Sequence, residues 1–184
     1  MDTHETVELK RDVEAAIVPS GMRVTLMKGE QASITQSLGG AYTVVVNNNM
    51  FRIEPKDADA LGKEVAVPTK VASEGPVSRE KLEELIWAEL RNVYDPEIPV
   101  NIVDLGLVYD CQLTPVEGSA QFHAEVKMTL TAPGCGMGPV LQQDVSNRLM
   151  MMELIDDANV ELVWDPPWNQ GMMSEAARLQ LGLY

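Results

Sequence analysis

Two prolines decide what residues 95–110 cannot be. In Asp95-Pro96-Glu97-Ile98-Pro99-Val100-Asn101-Ile102-Val103-Asp104-Leu105-Gly106-Leu107-Val108-Tyr109-Asp110, Pro96 and Pro99 remove backbone donors and fix φ, so neither a regular helix nor a central strand can cross the first half. The chain must bend there. Before the bend, Ser78 can cap a helix from Arg79 to about Asn92, with Glu80 in its first turn and Leu82, Leu85, Ile86, Leu90 and Val93 on its inner face. After it, Leu105 to Leu113 enters a strand, Pro115-Val116-Glu117-Gly118-Ser119 reverses direction, and a second strand follows. That strand has a clear period of two, with Phe122, Ala124, Val126, Met128 and Leu130 on one side and His123, Glu125, Lys127 and Thr129 on the other.

Farther along, Pro139 suits the first position of a helix, where its missing N–H costs nothing, and Leu141, Val145, Leu149 and Met152 repeat at three and four residues. Val160, Leu162 and Trp164 suggest a third strand. The loop Asp165-Pro166-Pro167-Trp168-Asn169-Gln170-Gly171 follows, anchored by Trp164 and Trp168, and a short last helix starts near Ser174 and can turn Ala176, Leu179 and Ala177 to the core. The order helix, strand, strand, helix, strand, helix over 79–184 predicts an α+β module, a small mixed sheet covered by helices. It is not a dinucleotide-binding fold, because no strand-linked Gly-x-Gly-x-x-Gly occurs.

The N-terminal part has a different texture. Residues 1–16 are polar without a core stripe and read as a flexible arm or a marginal helix. Residues 17–67 read as a small β-rich domain: Val24 and Leu26 alternate with polar neighbours, Tyr42, Val44 and Val46 do so again, and Asn47-Asn48-Asn49 supplies a turn before Met50 to Ile53. Gly39-Gly40 reads as a turn. Residues 68–78, with Pro68 and Pro76 near the ends, read as a linker.

Charge narrows the function. The formal net charge of −14 gives a field that repels phosphate, so nucleic-acid binding is excluded as a class, and no apolar run approaches the length of a membrane span. Residues 79–184 hold 17 acids and 6 bases, so the acidic surface belongs to the C-terminal part. Two cysteines, Cys111 and Cys135, cannot form a disulfide framework and read as reduced thiols, and the start of the chain lacks a basic region followed by an apolar run. Cytoplasmic residence is the expectation.

Cys135 is the strongest candidate for chemistry. Gly134, Gly136 and Gly138 surround it and Met137, letting backbone N–H groups turn inward near the Pro139 helix, an arrangement that favours a thiolate or a metal-competent sulfur. Three glycines also suffice for a close strand-to-helix junction around an inert thiol. Asp95 and Glu97 can ligate a metal or tie down the backbone beside the prolines, and Asn101 and Asp104 carry the same ambiguity. Cys111 lies on a strand face that the register leaves open and reads as an inert small hydrophobe. A Cys135–His123 enzyme is conceivable, but His123 lies on the polar side of its strand. Met137, Met172 and Met173 fall in the loops expected to border the site, where they would either pack or receive a partner.

Three stretches, Asp95 to Tyr109, Thr131 to Gly138, and Trp164-Asp165-Pro166-Pro167-Trp168 with Ser174-Glu175-Ala176-Ala177-Arg178, resemble successive motifs of the SufT-type iron-sulfur cluster assembly proteins. These sit in a wider family with PaaD-like and eukaryotic cytosolic iron-sulfur targeting proteins. The resemblance covers residues 79–184, and 17–67 resembles the additional N-terminal region of the SufT branch. It implies an auxiliary, non-enzymatic role in iron-sulfur protein maturation, targeting or transiently carrying clusters. It points to Cys135 as the family thiol, with Asp95, Glu97, Thr131 and Glu175 as supporting residues; the expectation built on it is that Cys135 is a labile metal or cluster ligand and that Asp95, Glu97 and Glu175 tune or complete the metal site. Asn101, Asp104, Thr131, Gly134, Gly136, Gly138 and Arg178 then support the site. Many members of the wider family have proline after the cysteine, where this chain has Gly136. Two cysteines cannot supply four thiolates, so the cofactor implied is a transient iron-sulfur cluster or iron, not tightly bound by one chain. Its ligands would be completed by an assembly protein, an apo client, a homodimer mate or non-cysteine groups. The alternatives are a scaffold that binds no metal and a thiol-dependent enzyme.

Overall fold

The computed structural model describes residues 4–65 and 76–183. The linker expected at 68–78 therefore lies outside the described residues except for 76–78. The chain divides into two compact units: the first holds 4–65 with Pro96–Pro99 and Cys135–Met137, and the second holds the other described residues from 76 on.

The first unit is built on one six-stranded antiparallel sheet. Its strands are β1 (Glu5–Glu8), β2 (Val13–Ile17), β3 (Arg23–Leu26), β4 (Gln31–Leu38), β5 (Ala41–Val46) and β6 (Asn49–Ile53), in the order β1-β4-β5-β6-β2-β3. Asn47 and Asn48 take φ of 49° and 65°, the left-handed pair that a two-residue hairpin between β5 and β6 demands. Ala32, Ile34, Val44, Val46, Phe51 and Ile53 form the core with Leu9, Val13, Ala15 and Leu26. The 3-10 turn Pro55–Leu61 adds Ala60 and Leu61.

The expected flexible arm over 1–16 is corrected for its described residues, 4–16. Glu5–Glu8 pairs with β4, Val13–Ile17 lies between β3 and β6, and Leu9 is fully buried. An edge strand with one half-buried residue, Val7, shows no alternating apolar stripe, which is why its sequence looks structureless. Arg11 reinforces the segment by pairing with Asp59 and Asp57 at 2.6 and 2.9 Å.

The second unit follows the expected order: α1 (Arg79–Leu90), β7 (Val108–Pro115), β8 (Phe122–Met128), α2 (Gly138–Met150), β9 (Ile155–Leu162) and α3 (Glu175–Gln180). The three strands form a mixed sheet, β7-β8-β9, with β7 antiparallel and β9 parallel to β8. The architecture is α+β.

Helix α1 starts where Ser78 accepts the Lys81 N–H through its hydroxyl, and buries Leu82, Ile86 and Leu90, spaced four residues apart. Each of these three contributes roughly 1.5–3 kcal/mol through burial. The period of two in β8 is realised, with Ala124, Val126 and Met128 buried and His123, Glu125 and Lys127 exposed. In α2, Leu141, Val145 and Leu149 face the core, and Met152 beyond it is buried, while Met150 and Met151 are exposed.

Helix α2 also closes an edge of the sheet. The Gln142 side-chain amide donates to the Val160 carbonyl at 2.9 Å and the Ser146 hydroxyl to the Ala158 carbonyl at 3.1 Å. Along β7, the outer edge on the other side, the Cys111 N–H donates to the Asp110 carboxylate at 2.9 Å.

Two sequence expectations fail at the C-terminal end. Leu179 is 56% exposed and Ala176 is exposed, and α3 seats itself through Ala177. A helix of six residues has room for only about one inward position per turn, and Ser174, accepting the Ala177 N–H, sets which one. Trp164 is 46% exposed, so Trp168 alone of the two anchors the proline loop.

Candidate functional site

Topology gathers the parts of the three motifs that lie in the second unit at one end of its sheet. Parallel strands β8 and β9 both finish there and antiparallel β7 begins there, so the segments before Val108, after Met128 and after Leu162 emerge side by side.

Hydrogen bonds then knit them. Thr129 N–H donates to the Leu107 carbonyl and Val163 N–H to the Met128 carbonyl, both at 2.8 Å. The Trp168 indole N–H reaches the Leu105 carbonyl at 2.7 Å, Ser174 N–H the Asp104 carbonyl at 2.8 Å, and the Tyr109 hydroxyl the Pro166 carbonyl at 2.7 Å. Gly106, at φ +75°, lies so close to the Met172 carbonyl that a Cβ would collide with it. Tyr109 and Gly106 are organisers that reading for reactive groups passes over, whereas Trp168 anchors the loop as its sequence position suggests. A buried-side indole that needs a hydrogen-bond acceptor is the one signal that points to Trp168.

Several candidates turn out to hold backbone. The Asn101 side-chain oxygen accepts the N–H groups of Val103 and Asp104 at 3.0 and 2.9 Å, and its amide donates to the Asp104 carboxylate at 2.6 Å. This is an Asx-type turn that carries the chain out of the proline bend. Asp104 closes that turn and receives Ser174 on its carbonyl. Gly138 opens α2 where an added Cβ would stand 2.9 Å from a Leu130 methyl and 3.0 Å from a Leu162 methyl, so it serves close packing of helix on sheet. Met137 and Met173 are buried, at 1% and 6% exposure, so they pack and are not open for a partner.

Other candidates remain available for chemistry. Cys135 is a free thiol, part-exposed, in the turn between Thr131 and Gly138. Gly134 before it sits at φ +78°, with open space where a Cβ would stand. Thr131 is part-exposed, Glu97 is exposed, and Asp95 is buried. Glu175 lies in the first turn of α3, and both it and Arg178 are exposed. Among the described residues, no three His, Cys, Asp or Glu side chains form a group that could hold a metal ion.

His123 is the second residue of β8, with its ring 3.8 Å from the Asp156 carboxylate and both side chains exposed. It stands at the end of β8 away from Thr129, about 20 Å of strand distant at roughly 3.3 Å per residue.

Cys111 faces inward opposite Val126 on β7. Burial, then the charges of Asp110 and Glu83, push its thiol up to about 11 from 9.0. The neutral form is thus favoured by the fold. As pH rises from 9 to 11 the unfolded chain releases this proton while the folded chain keeps it, and stability falls through that window. Urea unfolding of wild type and Cys111→Ala under reductant should show their stability difference moving against wild type by no more than about 2 kcal/mol, given the part-exposed thiol. A difference independent of pH over that window would contradict the burial of Cys111.

A family model described as iron-sulfur cluster assembly protein matches residues 83–162. The chain is 43% identical over 100 residues to an Fe-S protein maturation auxiliary factor of Porphyromonas gingivalis, covering 54% of this chain and 90% of that protein. It is 38% identical over 104 residues to the Fe-S protein maturation auxiliary factor YitW of Bacillus subtilis, covering 56% of this chain and 97% of that protein. Against the Fe-S protein maturation auxiliary factor SufT of Staphylococcus aureus it is 43% identical over 91 residues, covering 50% of this chain and 98% of that protein. With nearly the whole length of each relative matched, this chain belongs to the SufT-type family of iron-sulfur cluster assembly proteins.

Proposed function

We propose that this chain is an auxiliary factor in iron-sulfur protein maturation that passes a cluster or iron transiently through Cys135 to apo client proteins. The observation that carries the reading is a part-exposed free thiol in the turn leading into α2, beside segments that match relatives named as maturation auxiliary factors. Those relatives are named as auxiliary factors, in keeping with a non-enzymatic role. The cargo would complete its coordination with groups from an assembly protein, a client or a second copy of the chain, because the described residues contain no group of three ligands. Such shared coordination suits a cargo that must leave again. Asp95, Glu97 and Glu175 are proposed as carboxylates that assist this exchange, and Thr131, Gly134 and Arg178 as groups that shape its surroundings. No helix among the described residues is long and apolar enough to cross a membrane, and a cytoplasmic setting is part of the proposal.

The alternative is a scaffold that binds clients and never touches iron, in which the thiol turn only shapes a binding loop. Anaerobic reconstitution of wild type, Cys135→Ser and Cys111→Ser separates the two readings. Iron and sulfide are quantified, and transfer to an apo acceptor is followed. Carriage predicts that Cys135→Ser loses at least about tenfold in transfer, equivalent to one lost ligand interaction of roughly 1.4 kcal/mol or more, while Cys111→Ser keeps it. Equal loading and transfer by wild type and Cys135→Ser would remove Cys135 from the function. Stable client binding without iron in either protein would establish the scaffold.

A further inference from the structure

The turn between β2 and β3 meets the thiol segment backbone to backbone inside the first unit. A Cβ on Gly136 would run into the Ser20 carbonyl, and a Cβ on Gly21 would run into the Gly136 carbonyl. Each glycine leaves the space that the other chain segment fills. Gly21 has a second reason to be glycine, its φ of +72°, but Gly136 is not among the glycines at positive φ. Only the approach of Ser20 accounts for its missing side chain.

The turn that makes this approach is itself firmly built. Ile17 N–H donates to the Met22 carbonyl at 2.8 Å and Gly21 N–H to the Ile17 carbonyl at 2.7 Å. The Ser20 hydroxyl adds a 3.4 Å bond to the Ile17 carbonyl, and β2 is held on both sides by β3 and β6. On the other side of the contact, Met137 is buried. Cys135 therefore sits between Gly134, where an added Cβ would meet open space, and Gly136, where it would meet the Ser20 backbone.

We propose that Ser20 and Gly21 are positioning residues for Cys135, the β2–β3 turn holding the Gly136 backbone and so fixing the direction and access of the neighbouring thiol. The contact uses only main-chain atoms, so any side chain at position 21 or 136 pushes the two segments apart. It also gives a physical reason for glycine after the cysteine in this chain: a residue with a Cβ, proline included, has no room under Ser20. The inference rests on Cys135 being the working thiol, but its test needs no iron.

In a Cys111→Ser background Cys135 is the sole thiol, and its rate with 5,5′-dithiobis(2-nitrobenzoate) can be followed from about pH 6 to pH 9, across the range where thiolate fractions change. Gly136→Ala and Gly21→Ala should each raise the rate by about fivefold or more and displace its pH profile, and the double variant should match the singles, because both break one contact. Gly29→Ala is the control: it has φ +92° and nothing within 4 Å, so it carries the backbone strain of Gly21→Ala without the collision. Its rate should stay within about twofold of the background.

Unchanged rates and profiles in both glycine variants, or single effects that multiply in the double, would overturn the proposal. Should the variants fail to fold, hydrogen exchange on the Cys111→Ser protein before and after alkylating Cys135 with N-ethylmaleimide gives a second reading. Altered protection at residues 17–22 supports the contact, and unaltered protection there rejects it. Reagent rates that ignore position 136 while Cys135→Ser still abolishes cluster transfer would sink the positioning role alone. The opposite pattern would sink carriage alone.

Discussion

Gly106→Ala is expected to destabilise the second unit by about 2–5 kcal/mol, combining the left-handed backbone penalty of a residue with a Cβ and the cost of forcing packed backbone aside. At φ +75° the new methyl meets the Met172 carbonyl, so residues 169–173 must move. Movement there strains the hydrogen bonds from Trp168 to Leu105 and from Ser174 to Asp104. All three tryptophans, Trp87, Trp164 and Trp168, lie in the second unit, so urea unfolding followed by tryptophan fluorescence reports on that unit. A midpoint shift worth less than about 1 kcal/mol would mean that the Met172 segment yields freely and that the two motifs are not mechanically joined.

Leu107→Ala should cost a similar amount, about 2–5 kcal/mol, through lost burial and the cavity left behind. Leu107 is fully buried, and its backbone links Ile102 on one side to Thr129 on the other at 2.9 and 2.8 Å. The same fluorescence-detected unfolding measures it, with Leu107→Met as the volume-conserving partner, expected to cost less than about 1.5 kcal/mol. If both variants lost equally, the effect would lie in the shape of the side chain and not in the cavity.

Local rules made parts of this fold legible. Ser78 announces α1 because a hydroxyl before an apolar stripe has one strong use, and the alternation in β8 can mean little but a strand with one buried face. Asn47-Asn48 similarly states its hairpin. Strand β1 could not be read, because its identity comes from pairing with β4 and not from its own side chains. Leu179 misleads for a related reason: apolar character says that a residue can be buried, not that anything stands over it.

The site divides the same way. A glycine-flanked cysteine is visible in the sequence, and so is the ambiguity of Asn101, whose side chain can bind metal or backbone. In the fold its side-chain oxygen holds two backbone N–H groups, at 3.0 and 2.9 Å, and its amide holds the Asp104 carboxylate at 2.6 Å. The reason for Gly136 could not be seen, since Ser20 lies far away along the chain and only folding brings its carbonyl over that position.

The guarded rims of the small sheet have a consequence for recognition. Two carbonyls of β9 are already taken by Gln142 and Ser146, and one amide of β7 by Asp110, so an incoming segment would find these main-chain groups occupied. Lengthening the sheet by strand addition would have to displace them first. A visiting protein is better grasped through side chains and loops, which also spares this unit from stacking edge to edge with its own copies as it accumulates.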